Sequence, residues 1–145
     1  MSEMSNYLEE QLVLHIFRTG SYAAPSVLAI ALLTTGAADG DTGIFSTGTG
    51  VEVTDANAYA REARNPLDAN WDAVTGGNGQ TANTAAITFT QATGSWGTVS
   101  DMAIVDNTSH DAGNMLFYSA VDTGRTIDNG DTAEFAAGAI TVTFA

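Results

Sequence analysis

The chain has 145 residues, of which 44% are apolar and only 14% charged. Seventeen acidic and four basic side chains give a net charge of −13, and the four basic residues (Arg18, Arg61, Arg64, Arg125) are all arginine. Phosphate neutralisation needs clustered Lys and Arg, so this balance excludes a nucleic-acid-binding face and argues equally against docking on anionic lipid. With no cysteine, disulfides, thiolate metal sites and Cys nucleophiles are excluded as well.

In chain order, the first expected element is a helix over residues 6–19. Asn6 with Glu9 fits a capping box, and Glu9 and Glu10 suit the positive end of the dipole. Leu8, Leu12 and Ile16 share one face, with Val13 and Phe17 beside them, and Gly20 reads as the stop. No basic segment precedes the helix, so no standard secretion signal is expected. No apolar run reaches membrane-spanning length. Residues 27–33 are branched and aliphatic, which predicts a strand buried on both faces. Residues 36–50 are rich in Gly, Thr and Asp and read as a loop. Residues 59–64 fit a strand or a helix, with the strand favoured by the context that follows. Residues 65–83 form a second long loop.

The C-terminal half is clearer. Ala85, Ile87 and Phe89 alternate with polar or small residues, a strand signal. Residues 98–105 predict another strand, with Val99, Ala103 and Val105 on one side and Met102 and Ile104 on the other. Residues 115–121 follow as a strand. Asp128-Asn129-Gly130-Asp131 signals a hairpin joining short strands at 125–128 and 132–135. Ile140, Val142 and Phe144 alternate at the end. One helix and seven or eight short strands predict a mainly β fold: a β-sandwich, jelly-roll-like or Ig-like, with an N-terminal α-helix. A single domain over 1–145 is expected, with the helix in 1–20 and the sandwich in 21–145. There is no internal repeat.

Reactive constellations are sparse. Asp39 and Asp41 resemble part of a calcium loop, but Gly50 stands where the closing Glu belongs, so a solvated acidic turn is the favoured reading. Asp101, Asp106 and Asp111 are treated as turn residues in the same way. His15 is expected to pack or to make an interface contact. Ser109, His110 and Asp111 are adjacent on a turn and cannot converge as a triad. Nothing selects a glycosidase-like pair among the acids, and no phosphate-binding loop occurs. No catalytic residue, cofactor or metal is therefore expected. Arg61 and Arg64 read either as intrachain ion pairs or as bridges to a neighbouring subunit. Trp96 fits a core cap at a strand end, whereas Trp71, in a polar loop, fits an interface anchor.

Several segments then combine: Tyr7-Leu8-Glu9-Glu10-Gln11-Leu12, His15-Ile16-Phe17-Arg18, Leu33-Thr34-Thr35, Tyr59-Ala60-Arg61, Gly94-Ser95-Trp96-Gly97, Asn129-Gly130-Asp131-Thr132 and Phe135-Ala136-Ala137-Gly138. In this order they resemble a family of small virion proteins of tailed bacteriophages. Its members are labelled tail fibre or minor structural proteins, and similar proteins serve as capsid cement. The resemblance implies a non-enzymatic cement or decoration protein on the outer capsid surface. It would be a homo-trimer, assembled in the host cytoplasm, that bridges subunits of the major capsid protein without nucleic acid or membrane. The alternative it implies is a tail-fibre or tail-tip protein that binds the host surface. Leu8, Leu12, His15, Ile16, Arg61, Arg64 and Trp71 are the expected interface residues.

Overall fold

The computed structural model describes residues 3–74 and 79–144. The fold is mainly β, with one N-terminal helix and antiparallel sheets. Chain order is β1 (Glu3–Met4), α1 (Asn6–Phe17), β2 (Ala29–Thr35), a single 3-10 turn (Phe45–Thr47), β3 (Val51–Glu52), β4 (Glu62–Ala63) and β5 (Gln80–Ala82). Then follow β6 (Ile87–Thr88), β7 (Gly97–Val105), β8 (Met115–Ile127), β9 (Glu134–Phe135) and β10 (Thr141–Thr143). The main sheet has six strands in the order β1-β8-β7-β2-β3, with β4 also pairing β2. Two ribbons, β5 with β10 and β6 with β9, form a discontinuous second layer. No described helix is long and apolar enough to cross a membrane.

The strand β2 shows why the sheet sits at the centre. Its side chains alternate between two apolar sets, and five consecutive residues from Ala29 to Leu33 are fully buried. Ile30 and Leu32 join Met102, Ile104 and Leu116 in the larger core, which the ribbons close with Ile87, Ile140 and Val142. Ala29, Ala31 and Leu33 face the other way, with Ala103, Val105 and Met115, and there Phe45 covers them. Small residues on this second face let residues 36–50 lie close against the sheet.

Several sequence expectations need correction. The helix N-cap is Ser5, whose hydroxyl accepts from the Leu8 N–H at 3.4 Å, rather than Asn6 in a capping box. The helix ends at Phe17, two residues early, because Arg18 turns extended. Gly20 is needed for space instead: a Cβ there would lie 2.9 Å from the Leu14 Cβ. Val99 packs with Met102 and Ile104, not with Ala103, because a register shift between Val99 and Asp101 changes the face it points to. The strands expected at 115–121 and 125–128 are both parts of β8. Asp128 to Asp131 does form a tight turn, with Gly130 at φ +92°. The strand that follows leaves, however, to pair with β6 rather than folding back on β8. The loop 65–83 holds β5 and a bridge from Trp71 to Asn83; its Gly76-Gly77-Asn78 stretch lies outside the described residues.

Candidate functional site

Two surfaces emerge from the placement of the expected interface residues, and they differ in kind. The first is a platform of loops on the Phe45 side of the sheet, organised by Arg61. This arginine is 5% exposed, and its guanidinium forms an ion pair with the equally buried Glu52, Nη2 to Oε2 at 2.7 Å. Its Nε donates to Glu52 Oε1 at 2.8 Å. Nη1 donates to the carbonyls of Asn107 (3.0 Å) and Ala112 (2.8 Å), and Nη2 to that of Gly43 (2.8 Å). All five guanidinium N–H donors are thus occupied within the chain. The cation also lies 5.8 Å from the Phe45 ring centroid. Arg61 is therefore an internal tie between the 36–50 loop, β3 and the 106–114 turn. Its ion pair lies within the chain, and all its donors are used there.

The rest of the network completes Glu52. Tyr59 donates its hydroxyl to Glu52 Oε1 at 3.0 Å and accepts the Leu32 N–H at 3.0 Å. Burial, and next the Glu52 charge, push the Tyr59 phenol far above its ordinary pKa, so it remains a donor. His110 Nε2 lies 2.9 Å from the Val53 carbonyl and 3.8 Å from Glu52. Asp111 points elsewhere, accepting the Ser46 N–H (2.8 Å) and hydroxyl (2.6 Å). These hydrogen bonds hold the Asp111 carboxyl below the usual range. The adjacent Ser109, His110 and Asp111 thus diverge, as turn geometry requires.

Asp41 organises the same platform. Its carboxylate accepts the N–H groups of Ala38 (3.0 Å), Thr49 (2.8 Å) and Gly50 (2.8 Å). Burial would raise its pKa, but these three donors outweigh it and leave the group below the usual carboxylate range. Asp39 instead accepts from the Tyr118 hydroxyl, which also lies 2.8 Å from Glu3. Asp106 is taken by Asn114, through its N–H (2.6 Å) and its side-chain amide (2.8 Å). Asp41 and Asp106 close their own loops, whereas Asp39 and Asp111 tie theirs to distant segments; among the described residues no three metal-ligating side chains cluster.

The second surface is the C-terminal half of α1. Leu8 is buried at 4% exposure, so it belongs to the core and is closed to a partner in this chain. Leu12 is half-buried, and His15 is exposed, its Nδ1 accepting the Tyr22 N–H at 3.3 Å. Ile16 is 64% exposed, and Phe17 beside it 77%. With Val13 and Leu14, this stretch of five residues holds four of the nine large apolar side chains exposed among the described residues. Such a concentration is a candidate interaction surface, whereas scattered single residues are not. From Leu12 to Phe17 the helix is apolar at every position but His15, so one side can enter the core while the other remains outside.

The remaining expected interface residues lie between these extremes. Arg64 is half-buried, donates through Nη2 to the Ala86 carbonyl, and has its Nε buried with no partner among the described residues. Trp71 is half-buried against the larger core, and its indole N–H donates to the Arg64 carbonyl at 3.0 Å. Within the chain it braces its own loop. Trp96 is 6% exposed and donates to the Asn57 carbonyl at 2.9 Å, as a core cap does. Glu52 escaped the sequence reading. Alternation around Val51 and Val53 points it outward, but a register shift in the β2–β3 pairing turns it in and leaves Val51 exposed.

The chain thus combines a mainly β fold, loops braced by buried polar networks and one exposed apolar helix end. The sequence model of podophage GP4 fiber I protein gp80 matches residues 3–143, and the chain belongs to that family. It is thus a structural protein of the phage virion. No curated protein matches the chain.

Proposed function

We propose that the protein is a non-enzymatic, adhesive subunit of the fibre apparatus of a podophage particle. Its family carries this reading, because the family's description is that of a fibre protein. The exposed apolar end of α1 supplies an attachment surface consistent with it. The Arg61 and Asp41 networks would hold the loop platform in one shape, so that little ordering entropy is lost when it meets a partner.

A second reading is capsid cement: three copies at threefold positions on the outer shell, each bridging major capsid proteins. The −13 charge favours this, since it suits an outward face that repels other particles. Location and copy number separate the two. A density map of the virion, with gel densitometry of purified particles, is expected to place few copies at the tail. Many copies spread over the shell would replace the fibre reading with the cement one.

A further inference from the structure

The exposed end of α1 has a charge pattern that selects its occupant. Glu10, Val13, Leu14 and Phe17 follow the i, i+3, i+4, i+7 spacing of one helix stripe, and all four are exposed. Arg18 caps the C-terminal end. The side chains of Glu10 and Arg18 meet no partner among the described residues, and residues 11–38 contain no Asp or Glu. Two chains of charge −13 repel each other over most of their surface, whereas the stripe itself carries one acid, Glu10, and one base, Arg18.

We propose that this stripe docks a second copy of the chain, helix against helix and antiparallel, about a two-fold axis at Leu14. Glu10 lies four residues before Leu14 and Arg18 four after. The axis therefore sets Glu10 of each copy beside Arg18 of the other, in two equivalent pairs. Val13, Leu14 and Phe17 of the two helices close over one another between these pairs. A parallel pair or a threefold bundle would instead gather Arg18 with Arg18 and Glu10 with Glu10. It would also align the helix dipoles, which the antiparallel pair opposes. A twelve-residue helix is about 18 Å long, so the contact falls below the standard interface of about 800 Å² per partner. The free protein therefore associates weakly and reversibly, and avidity on the particle strengthens the contact. The inference goes beyond the position on the particle and holds for either reading of it.

The cysteine-free sequence allows a direct test. Under mild oxidation, Leu14→Cys is expected to form a disulfide-linked dimer roughly tenfold faster than Asn129→Cys, at the exposed turn beyond the far end of β8. Adding Phe17→Ser should abolish that advantage while circular dichroism shows the fold intact. Adding Glu10→Arg or Arg18→Glu alone should slow linking about fivefold, and adding both should restore it. Equal rates for the two cysteine variants, or no restoration by the double exchange, would overturn the proposal. So would a Phe17→Ser protein lost from particles whose Leu14→Cys counterpart stays unlinked. In that case the stripe serves a different virion protein, and the proposed function stands without the self-contact.

Discussion

The Arg61 platform and the α1 end use opposite means to present a surface. In the platform a buried cation with every donor occupied joins three loop segments, so the polar interior is spent on holding shape. At the helix end the one side-chain tie described is from His15 to the Tyr22 N–H, and apolar side chains stand in solvent. The first surface is stable alone and offers a partner a fixed outline. The second leaves apolar side chains in water, which a partner would gain by covering. Substitution should therefore damage the first through folding and the second through binding.

The largest effect is expected at Arg61. Arg61→Ala leaves Glu52 buried without its cation and three carbonyls without donors, a loss of about 3–5 kcal/mol that thermal or urea denaturation would register. An Arg61→Ala protein that keeps its full stability would remove the platform from the comparison. Asp41→Ala should cost about 2–3 kcal/mol in the same assay, because three backbone N–H groups lose a charged acceptor.

The same aspartate predicts an acid limb. Its folded pKa lies below the unfolded value, so its stabilisation is present above the ordinary carboxylate range. That stabilisation disappears as pH falls through the depressed folded value. Asp111, shifted in the same direction by Ser46, adds to this limb. Urea midpoints measured from neutral pH down to about pH 2 should fall, and the fall should be shallower in Asp41→Ala.

Trp71→Ala comes next, at about 2 kcal/mol, since it removes half-buried packing and the indole bond to Arg64. Loss of particle binding with unchanged stability would instead move Trp71 to the interface side. The smallest stability change belongs to Phe17→Ser, within about 0.5 kcal/mol, because the ring is mostly in water already. A clear fall in melting temperature there would show the helix end to be part of the fold, and the contrast would fail.

What the sequence made legible follows from how local each signal is. The β2 and β7 strands could be read because alternation and unbroken apolar runs are properties of the segment itself. The helix was legible too, but its cap moved to Ser5, whose hydroxyl is also held by the Met115 carbonyl at 2.5 Å, a partner 110 positions away. Short strands such as β4, β5 and β9 are defined by the edges they pair with, and their own residues carry little pattern. Glu52 was hidden by a register shift that only the paired sheet contains. The expected interface set divides for the same reason. Leu8 and Arg61 are inside because distant segments close over them, whereas Ile16 is outside because no described segment does.

The distribution of arginines also sets how the native chain meets a protease. With no lysine, trypsin has only the bonds after Arg18, Arg61, Arg64 and Arg125 to attack. Arg18 and Arg125 are exposed, the first in an irregular segment between α1 and β2, so digestion of folded protein begins there. The bond after Arg61 becomes available only when the Glu52 network has come apart. Its cleavage is thus a built-in reporter of global opening, while cleavage after Arg18 reports the freedom of the helix end.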